Sequence, residues 1–147
     1  MQWSEFSFVL KPSPLGGVGV FATHDIPTGT LLFNQEINHT IRMLKIKDVP
    51  LEALKFCIFV NDEECLCPER FDRLEIGWYI NHSDAPNVAQ LHRTKFDVVK
   101  SVEDLYRNRE KYRFYAIKDI KEGDEIVINY NELNEPEHLK EEFYKQK

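Results

Sequence analysis

The sequence predicts a mostly β domain with short helices. Three observations support this prediction: short runs of β-forming residues recur along the chain, glycine and proline turns separate them, and apolar residues show helical spacing only over short stretches. The length of 147 residues fits one domain. We therefore expect small β-sheets connected by turns and short helices.

The N-terminal part predicts a β-meander. Prolines and a glycine pair within residues 12–17 predict a tight turn between strands over residues 6–11 and 18–23. After another turn, β-forming residues predict a third strand over residues 30–37. Residues 38–43 either extend that strand or begin another.

The middle of the chain predicts two helices. Residues 48–60 place apolar side chains at helical spacing, and Pro50 stands where a first helical turn tolerates proline. Residues 67–74 predict a second, shorter helix.

The last third combines strands with helices. Strands are predicted over residues 88–92, 112–118 and 125–130. Ser101 is a candidate N-cap for a helix with an acidic first turn and a basic end. Residues 134–144 predict an amphipathic tail helix, because Leu139 and Phe143 stand four positions apart.

Composition argues against several classes of protein. A formal charge of −6 disfavours a general nucleic-acid binder, which needs a basic surface for phosphate. No stretch approaches the roughly 18 apolar residues of a membrane helix, and the first residues lack the pattern of a secretory signal. We expect a soluble, cytoplasmic or otherwise intracellular protein, with nuclear or host-targeted action left open.

The cysteines Cys57, Cys65 and Cys67 make an odd number without a disulfide framework, which suits a reducing compartment. Cys65 and Cys67, with one residue between them, invite a metal interpretation. A structural zinc site needs about four ligands, however, and a second closely spaced pair is missing. The sequence therefore predicts no metal.

The most informative segment is residues 78–87, Trp-Tyr-Ile-Asn-His-Ser-Asp-Ala-Pro-Asn. Its apolar start leads into Asn81 and His82, polar side chains that need hydrogen-bond partners when buried. Pro86 then excludes a regular helix or a central strand. These residue types also make tight structural turns, so the segment alone leaves a turn and a binding site as alternatives.

Two further segments flank this one along the chain. Residues 13–22 contain Gly17-Val18-Gly19, and residues 115–130 carry an Ala-x-x-Asp-Ile-x-x-Gly-x-Glu lead-in to Tyr130. With these three elements in this order, the chain resembles the SET-domain protein lysine methyltransferases, above all the small stand-alone members known from viruses and bacteria. The resemblance covers about residues 6–130.

The resemblance implies one SET domain over residues 1–147, a fold of small curved β-sheets with a C-terminal knot-like crossing. Its expected parts are an N-terminal β part at 6–44, a variable insert at 45–76 that shapes the peptide groove, a core at 77–130 with an insertion near 99–111, and a helical tail at 131–147.

The resemblance also implies an activity: methyl transfer from S-adenosyl-L-methionine to the side-chain amine of lysine in a protein, with histones among the candidates. Tyr130 matches the family's catalytic tyrosine, whose hydroxyl orients the amine. Ser83 and Asn87 are expected to brace the loop. The implied cofactor-binding residues are Gly17, Val18, Gly19, Asn81, His82 and Tyr130.

The chain departs from the family pattern at three positions. Asn129 replaces the usual aspartate before the tyrosine. Ile128 stands where phenylalanine or tyrosine is common, which favours addition of more than one methyl group. Asp84 replaces a cysteine, so a zinc-bound C-terminal module is not expected, and the tail around Leu139 and Phe143 is expected to close the cofactor side instead.

Other functions remain as alternatives. A catalytically silent SET-fold module would bind lysine-containing peptides without modifying them, and a hydrolase would use His82 or Cys57 but lacks any nucleophile-elbow signature. The acidic charge suits a protein substrate with a basic, lysine-bearing segment, although plain solubility explains it equally. We expect no direct nucleic-acid or membrane partner, and a monomer or a homodimer.

Overall fold

Short strands dominate the computed structural model, which describes residues 4, 6–33, 41–94, 96–133 and 135–145. The strands are β1 (Phe8–Pro12), β2 (Val18–Ala22), β3 (Leu31–Leu32), β4 (Ile41–Lys45), β5 (Ile58–Phe59), β6 (Glu64–Pro68), β7 (Asn81–His82), β8 (Val88–Ala89), β9 (Phe114–Ala116) and β10 (Glu125–Ile128). The α-helices are α1 (Val102–Arg107) and α2 (Arg109–Tyr112), and the 3-10 helices are Ile46–Asp48, Leu51–Phe56, Ile76–Tyr79, Tyr130–Leu133 and Glu137–Leu139. The predicted mostly β class is confirmed.

The chain divides into two compact units. The first unit consists of residues 1–34, 76–92 and 110–130, and the second unit of residues 35–75, 93–109 and 131–147. The predicted insert, the later insertion and the tail fall almost wholly in the second unit. The expectation of a single domain stays a prediction.

The first unit is built around a four-stranded sheet in the order β1-β2-β10-β7. β1 and β2 form an antiparallel hairpin, β10 runs antiparallel to β2, and β10 is parallel to β7. Val20 and Ile126 face each other across β2 and β10 and are fully buried. Burying such side chains stabilises a fold by about 1.5–3 kcal/mol each, so the hairpin and β10 form the core of this unit.

A glycine turn connects the hairpin strands. Gly17 has a φ of 58°, a left-handed conformation that residues with a Cβ adopt at a cost. Its carbonyl oxygen accepts a hydrogen bond from the Ser13 main-chain N–H at 2.9 Å. The predicted strands on either side are confirmed with small shifts of their ends.

The second unit contains a three-stranded antiparallel sheet in the order β4-β6-β5. β4 and β6 pair along five residues, from Ile41 opposite Pro68 to Lys45 opposite Glu64. Cys65 and Cys67 on β6 are fully buried and form a core cluster with Val49.

Of the two helices predicted in the middle of the chain, the first is wrong in part and the second is wrong altogether. Residues 48–60 form a 3-10 helix over Leu51–Phe56 and then β5, because Ile58 and Phe59 pair with β6. Residues 67–74 form no helix: Cys67 and Pro68 end β6, and bends and turns follow. Strand pairing with β4 outweighs the weak helical pattern there.

The predictions for the end of the chain are mixed. The helix after Ser101 is confirmed, since the Ser101 hydroxyl accepts a hydrogen bond from the Asp104 main-chain N–H at 3.0 Å. The amphipathic tail helix is wrong: Glu137–Leu139 is a single 3-10 turn, Phe143 is 68% exposed, and the neighbouring Tyr144 is buried instead.

Several predicted strands are shorter than expected. The strand predicted over residues 30–37 is β3 with two residues, and its residues 34–37 lie outside the described part, as do residues 38–40. Residues 88–92 contain only the two residues of β8. Among the helices of the described residues, none has the length and hydrophobicity that a membrane span requires.

Candidate active site

The candidate site lies in the first unit, where β10 runs between β2 and β7. Asn81 and His82 form β7, and the parallel register places them beside Val127 and Ile128 of β10. The Ser83 main-chain N–H donates to the Ile128 carbonyl at 2.9 Å, so residue 83 faces β10. Because main-chain groups of successive residues point to opposite sides of a strand, those of His82 point to the outer edge of the sheet.

The side chain of Asn81 is held by two acceptors. Its Nδ2 donates to the Val18 carbonyl at 3.0 Å and to Glu125 Oε2 at 2.8 Å. Both partners accept only, which fixes the orientation of the amide and uses both of its hydrogens. Among the described residues, none donates to Asn81 Oδ1. The Asn81 side chain therefore presents a hydrogen-bond acceptor.

Gly17, Val18 and Gly19 lie beside Asn81 for different reasons. Gly17 makes the turn, and Val18 supplies the carbonyl that orients the amide. A Cβ on Gly19 would collide with Glu125 Oε2 and would lie 2.8 Å from Glu125 Cδ and 3.0 Å from Asn81 Nδ2. A glycine was expected at this position because a cofactor would approach its main chain closely. The structure adds a second reason, since the side chains of Glu125 and Asn81 also lie close to it.

His82 links the loop after β7 to Tyr130. The Tyr130 main-chain N–H donates to His82 Nδ1 at 3.0 Å, and His82 Nε2 lies 3.1 Å from Asp84 Oδ1. Since Nδ1 accepts, a neutral ring carries its proton on Nε2, which then donates to the carboxylate. The His82 side chain is 7% exposed. The two partners hold the imidazole in one tautomer and one orientation.

Tyr130 lies two residues beyond the end of β10, as the first residue of a 3-10 helix, and not at the end of a strand as predicted. Its hydroxyl donates to the main-chain carbonyl of Ile80, and its ring lies 5.3 Å from the His82 ring between centroids. The hydroxyl oxygen and the Ile80 carbonyl oxygen are thus neighbours, next to the strand that carries Asn81 and His82.

Asn87 braces this arrangement. Its side-chain Nδ2 donates to the Glu125 carbonyl at 2.8 Å, and its Oδ1 accepts from the Val127 main-chain N–H at 2.9 Å. The Ser83 hydroxyl accepts from the Ala85 main-chain N–H at 3.0 Å. Both residues therefore make the bracing contacts that were expected of them.

The sequence did not single out two residues of this site. The Ser13 hydroxyl donates to Glu125 Oε1 at 2.7 Å, and Glu125 Oε2 accepts from Asn81, so Glu125 connects the two residues. Ile80 supplies the carbonyl beside the Tyr130 hydroxyl. Glu125 is a fixed position of the Gly-x-Glu lead-in, and that pattern was a signal that could have identified it. Ile80 acts through its main chain, so its residue type gives no signal.

Comparison with known proteins identifies the family of this chain. The sequence profile of the SET domain matches residues 17–131, which contain every site residue described above except Ser13. The chain belongs to the SET family. A search of curated proteins found no match.

Solved structures of SET proteins share the fold of this chain. The crystal structure of a candidate histone methyltransferase from Plasmodium falciparum is 22% identical, with a TM-score of 0.53, over 85% of this chain and 93% of that one. Two crystal structures of KRYPTONITE are 18% and 19% identical, with TM-scores of 0.52 and 0.53, over 86% of this chain. At these identities the likeness shows the SET fold.

The KRYPTONITE structures contain ligands. One holds mCHG DNA and SAH, and the other holds mCHH DNA, an H3(1-15) peptide and SAH. This SET chain covers 24% and 23% of those KRYPTONITE chains, so it spans about a quarter of their length. Membership of the SET family supports methyl transfer as the general class of activity.

Proposed function

We propose that this chain transfers a methyl group from S-adenosyl-L-methionine to the side-chain amine of lysine in a protein substrate. The observation that carries the proposal is the position of Tyr130. Its hydroxyl lies against the Ile80 carbonyl, while its main chain is held by the His82 ring. Sequence motifs far apart in the chain thus meet in one constellation.

The hydrogen-bonding groups of the site fit the cofactor. The acceptor Oδ1 of Asn81 suits the ammonium group of the cofactor's amino acid end, and the strand edge at His82 suits the adenine. The cofactor supplies a methyl group on a positively charged sulfur. SAH, which the KRYPTONITE structures hold, is the molecule that remains after this methyl group leaves.

Tyr130 and Ile80 would orient the lysine amine. The lysine first loses a proton to water, since only the neutral amine has the lone pair that attacks. In the displacement a nitrogen–carbon bond forms as the carbon–sulfur bond breaks, so the three atoms must lie nearly in line. The two oxygens would hold the amine by hydrogen bonds and would contact the methyl hydrogens weakly.

The substrate and product follow from other features. The formal charge of −6 favours a basic, lysine-bearing segment as substrate. Ile128, two residues before Tyr130, is apolar and buried, so no hydroxyl there restricts the amine. We therefore propose that more than one methyl group is added. Mass spectra that show monomethyl-lysine alone, at long reaction times, would contradict this part of the proposal.

The test is transfer of labelled methyl groups from S-adenosyl-L-methionine to a panel of histones and to cell extract. The parent protein should label a protein band, and Tyr130→Phe should lower the rate by about 100-fold or more, the usual loss when one group that stabilises the transition state is removed. Tyr106→Phe is the matched control, because the exposed Tyr106 lies on α1 and outside the site. It should keep the parent rate.

SAH binding, measured by calorimetry, separates the alternatives. Tyr130→Phe should still bind SAH, because its hydroxyl is assigned to the amine. Binding of SAH and of lysine peptides without transfer to any substrate would favour the silent binding module. A parent protein that neither binds SAH nor transfers methyl groups would overturn the proposed function.

A further inference from the structure

The three cysteines of the chain converge on one face of the sheet in the second unit. Cys65 and Cys67 stand two residues apart on β6, so their side chains point to the same face. Cys57 immediately precedes β5, whose register pairs Ile58 with Leu66. Continuing that antiparallel register by one residue places Cys57 opposite Cys67.

The distances between the sulfur atoms confirm this convergence. Cys57 Sγ lies 3.2 Å from Cys67 Sγ, and Cys65 Sγ lies 3.4 Å from Cys67 Sγ. All three sulfur atoms are within 4.8 Å of one another. A thiophilic metal ion with metal–sulfur bonds of about 2.3 Å holds its sulfur ligands roughly 3.8 Å apart, a spacing within this range.

The surroundings of the three sulfur atoms favour thiolates only when a cation balances their negative charge. Cys65 and Cys67 are fully buried, and apolar side chains such as Leu44 and Phe59 pack against them. Burial raises the pKa of the Cys65 thiol to about 12, and the hydrogen bond from Cys57 together with burial raises the pKa of Cys67 as well. A bare thiolate is therefore disfavoured here, and a positive charge is needed to stabilise one.

Part of that charge is already present. Arg42 is directly opposite Cys67 in the pairing of β4 with β6, and its charge acts to lower the pKa of Cys67. Its Nε donates to the Pro68 carbonyl at 3.2 Å, which holds the side chain against β6. One guanidinium balances only one of the negative charges that three thiolates would carry, so a bound cation would balance the rest.

We propose that Cys57, Cys65 and Cys67 bind one thiophilic d10 metal ion, Zn²⁺ or Cu⁺. Each thiol loses its proton to solvent as the metal–sulfur bond forms. Among the described residues, no other His, Cys, Asp or Glu joins the group. Three thiolates satisfy Cu⁺, whereas Zn²⁺ would take water as its fourth ligand on the side of the half-buried Cys57.

Convergence of all three sulfurs distinguishes this site from a disulfide. A disulfide would use two of the sulfurs, would leave the third as a buried thiol, and would need an oxidant. The expectation of no metal rested on the absence of a second closely spaced cysteine pair. The pairing of β5 with β6 instead supplies Cys57 as the third ligand.

The first test is metal titration of the full chain, reduced and freed of metal by a chelator. Cd²⁺ serves as the probe, because cadmium thiolates absorb in the ultraviolet. One equivalent of Cd²⁺ should saturate the absorbance and raise the melting temperature. Competition by Zn²⁺ and by Cu⁺ in separate titrations then identifies the preferred ion, and native mass spectrometry should show one ion per chain with up to three protons lost.

Variants give the second test. Cys57→Ser should weaken binding of Cd²⁺ by at least about tenfold, since even outer-shell changes at metal sites cost 10–100-fold. Leu44→Val is the matched control, because it changes packing against the cluster without removing a sulfur. It should bind as the parent does. Circular dichroism establishes that each variant is folded.

A third measurement uses the parent protein and does not depend on folding of a variant. Alkylation under native conditions, read by mass spectrometry, should show Cys57 protected when Cd²⁺ is bound. Absence of the absorbance, equal affinity in a folded Cys57→Ser, or unchanged alkylation of Cys57 would each overturn the site. A Cys57–Cys67 disulfide formed in air, in a chain that binds no metal when reduced, would show a redox pair instead.

Discussion

In the first unit, the polar side chains of Asn81, His82 and Asn87 hydrogen-bond to main-chain groups of β2, of β10 and of the residue that begins the following 3-10 helix. The sheet of the second unit instead packs apolar side chains around two buried thiols, Cys65 and Cys67, and the half-buried Cys57. Directional hydrogen bonds fix distances and angles, whereas apolar packing tolerates small shifts. The unit that carries the candidate site therefore fixes its side chains by hydrogen bonds to the main chain, whereas the sheet of the other unit relies on apolar packing.

The largest expected effect is that of Asn87→Ala. The change removes two side-chain hydrogen bonds to β10 and leaves the Val127 N–H and the Glu125 carbonyl without them. We expect a loss of about 2–4 kcal/mol in the free energy of unfolding, because unsatisfied main-chain groups cost more than an average hydrogen bond contributes. Urea unfolding measures it.

The matched control for this change is Asn61→Ala in the second unit. Asn61 is exposed and its Oδ1 accepts from the main-chain N–H groups of Glu63 and Glu64 in a turn. Water can replace these bonds, so the loss should be less than half that of Asn87→Ala. Equal losses would show that the two units do not differ in this respect.

Gly19→Ala is expected to have the next largest effect. The added methyl group would meet the Glu125 carboxyl group, which Ser13 and Asn81 hold in place. We expect a loss of about 1–3 kcal/mol in stability, typical of overpacking, and weaker binding of SAH as Asn81 shifts. Calorimetry with SAH and urea unfolding measure the two effects.

A second substitution tests the cause of the Gly19→Ala effect. Glu125→Ala should make Gly19→Ala less costly in the double variant, because the colliding carboxyl group is gone. Gly77→Ala is the control, since a Cβ on Gly77 meets nothing within 4 Å. Strictly additive losses in the double variant would refute the proposed collision.

The pH dependence of stability probes the second unit. Burial raises the pKa of Cys65 from 9.0 to about 12, so the unfolded chain loses this proton first as the pH rises. The stability contributed by the neutral thiol is fully present below pH 9 and is lost between about pH 9 and 12. Without metal, Cys65→Ser should lose less stability than the parent over this range in urea unfolding. Parallel curves for the two proteins would argue against a buried, protonated thiol.

The smallest effect is expected at the surface of the second unit. Ser101→Ala removes the N-cap of α1, whose hydroxyl accepts from the Asp104 N–H. The expected loss is about 1 kcal/mol by thermal unfolding, and Ser101→Asp should retain most of the parent stability because its carboxylate also caps. Equal destabilisation by both variants would exclude capping as the cause.

Predictions from the sequence succeeded best where a residue type has a specific chemical role. His82 and Tyr130 are hydrogen-bonded in the structure, Asn81 is hydrogen-bonded to Val18 beside the glycine turn, and Ser101 caps its helix. The family membership is confirmed as well. The roles assigned to the individual site residues stay predictions that the labelling and binding experiments test.

The failures fall where distant pairing decides the local structure. Residues 67–74 look helical in isolation, yet β4 captures Cys67 and Pro68 as strand residues. The convergence of Cys57 with Cys65 and Cys67 depends on the register of β5 with β6, which sequence spacing does not reveal. Local propensity is a weak guide when the partner strand lies elsewhere in the chain.

The hydrogen bonds that build the site connect residues far apart in sequence. His82 and Tyr130 are separated by 48 positions, Asn81 and Glu125 by 44, and Ser13 and Glu125 by 112. Such a high contact order slows folding, because long loops must close before these contacts form. During synthesis the site therefore stays unassembled until β10 and Tyr130 have left the ribosome.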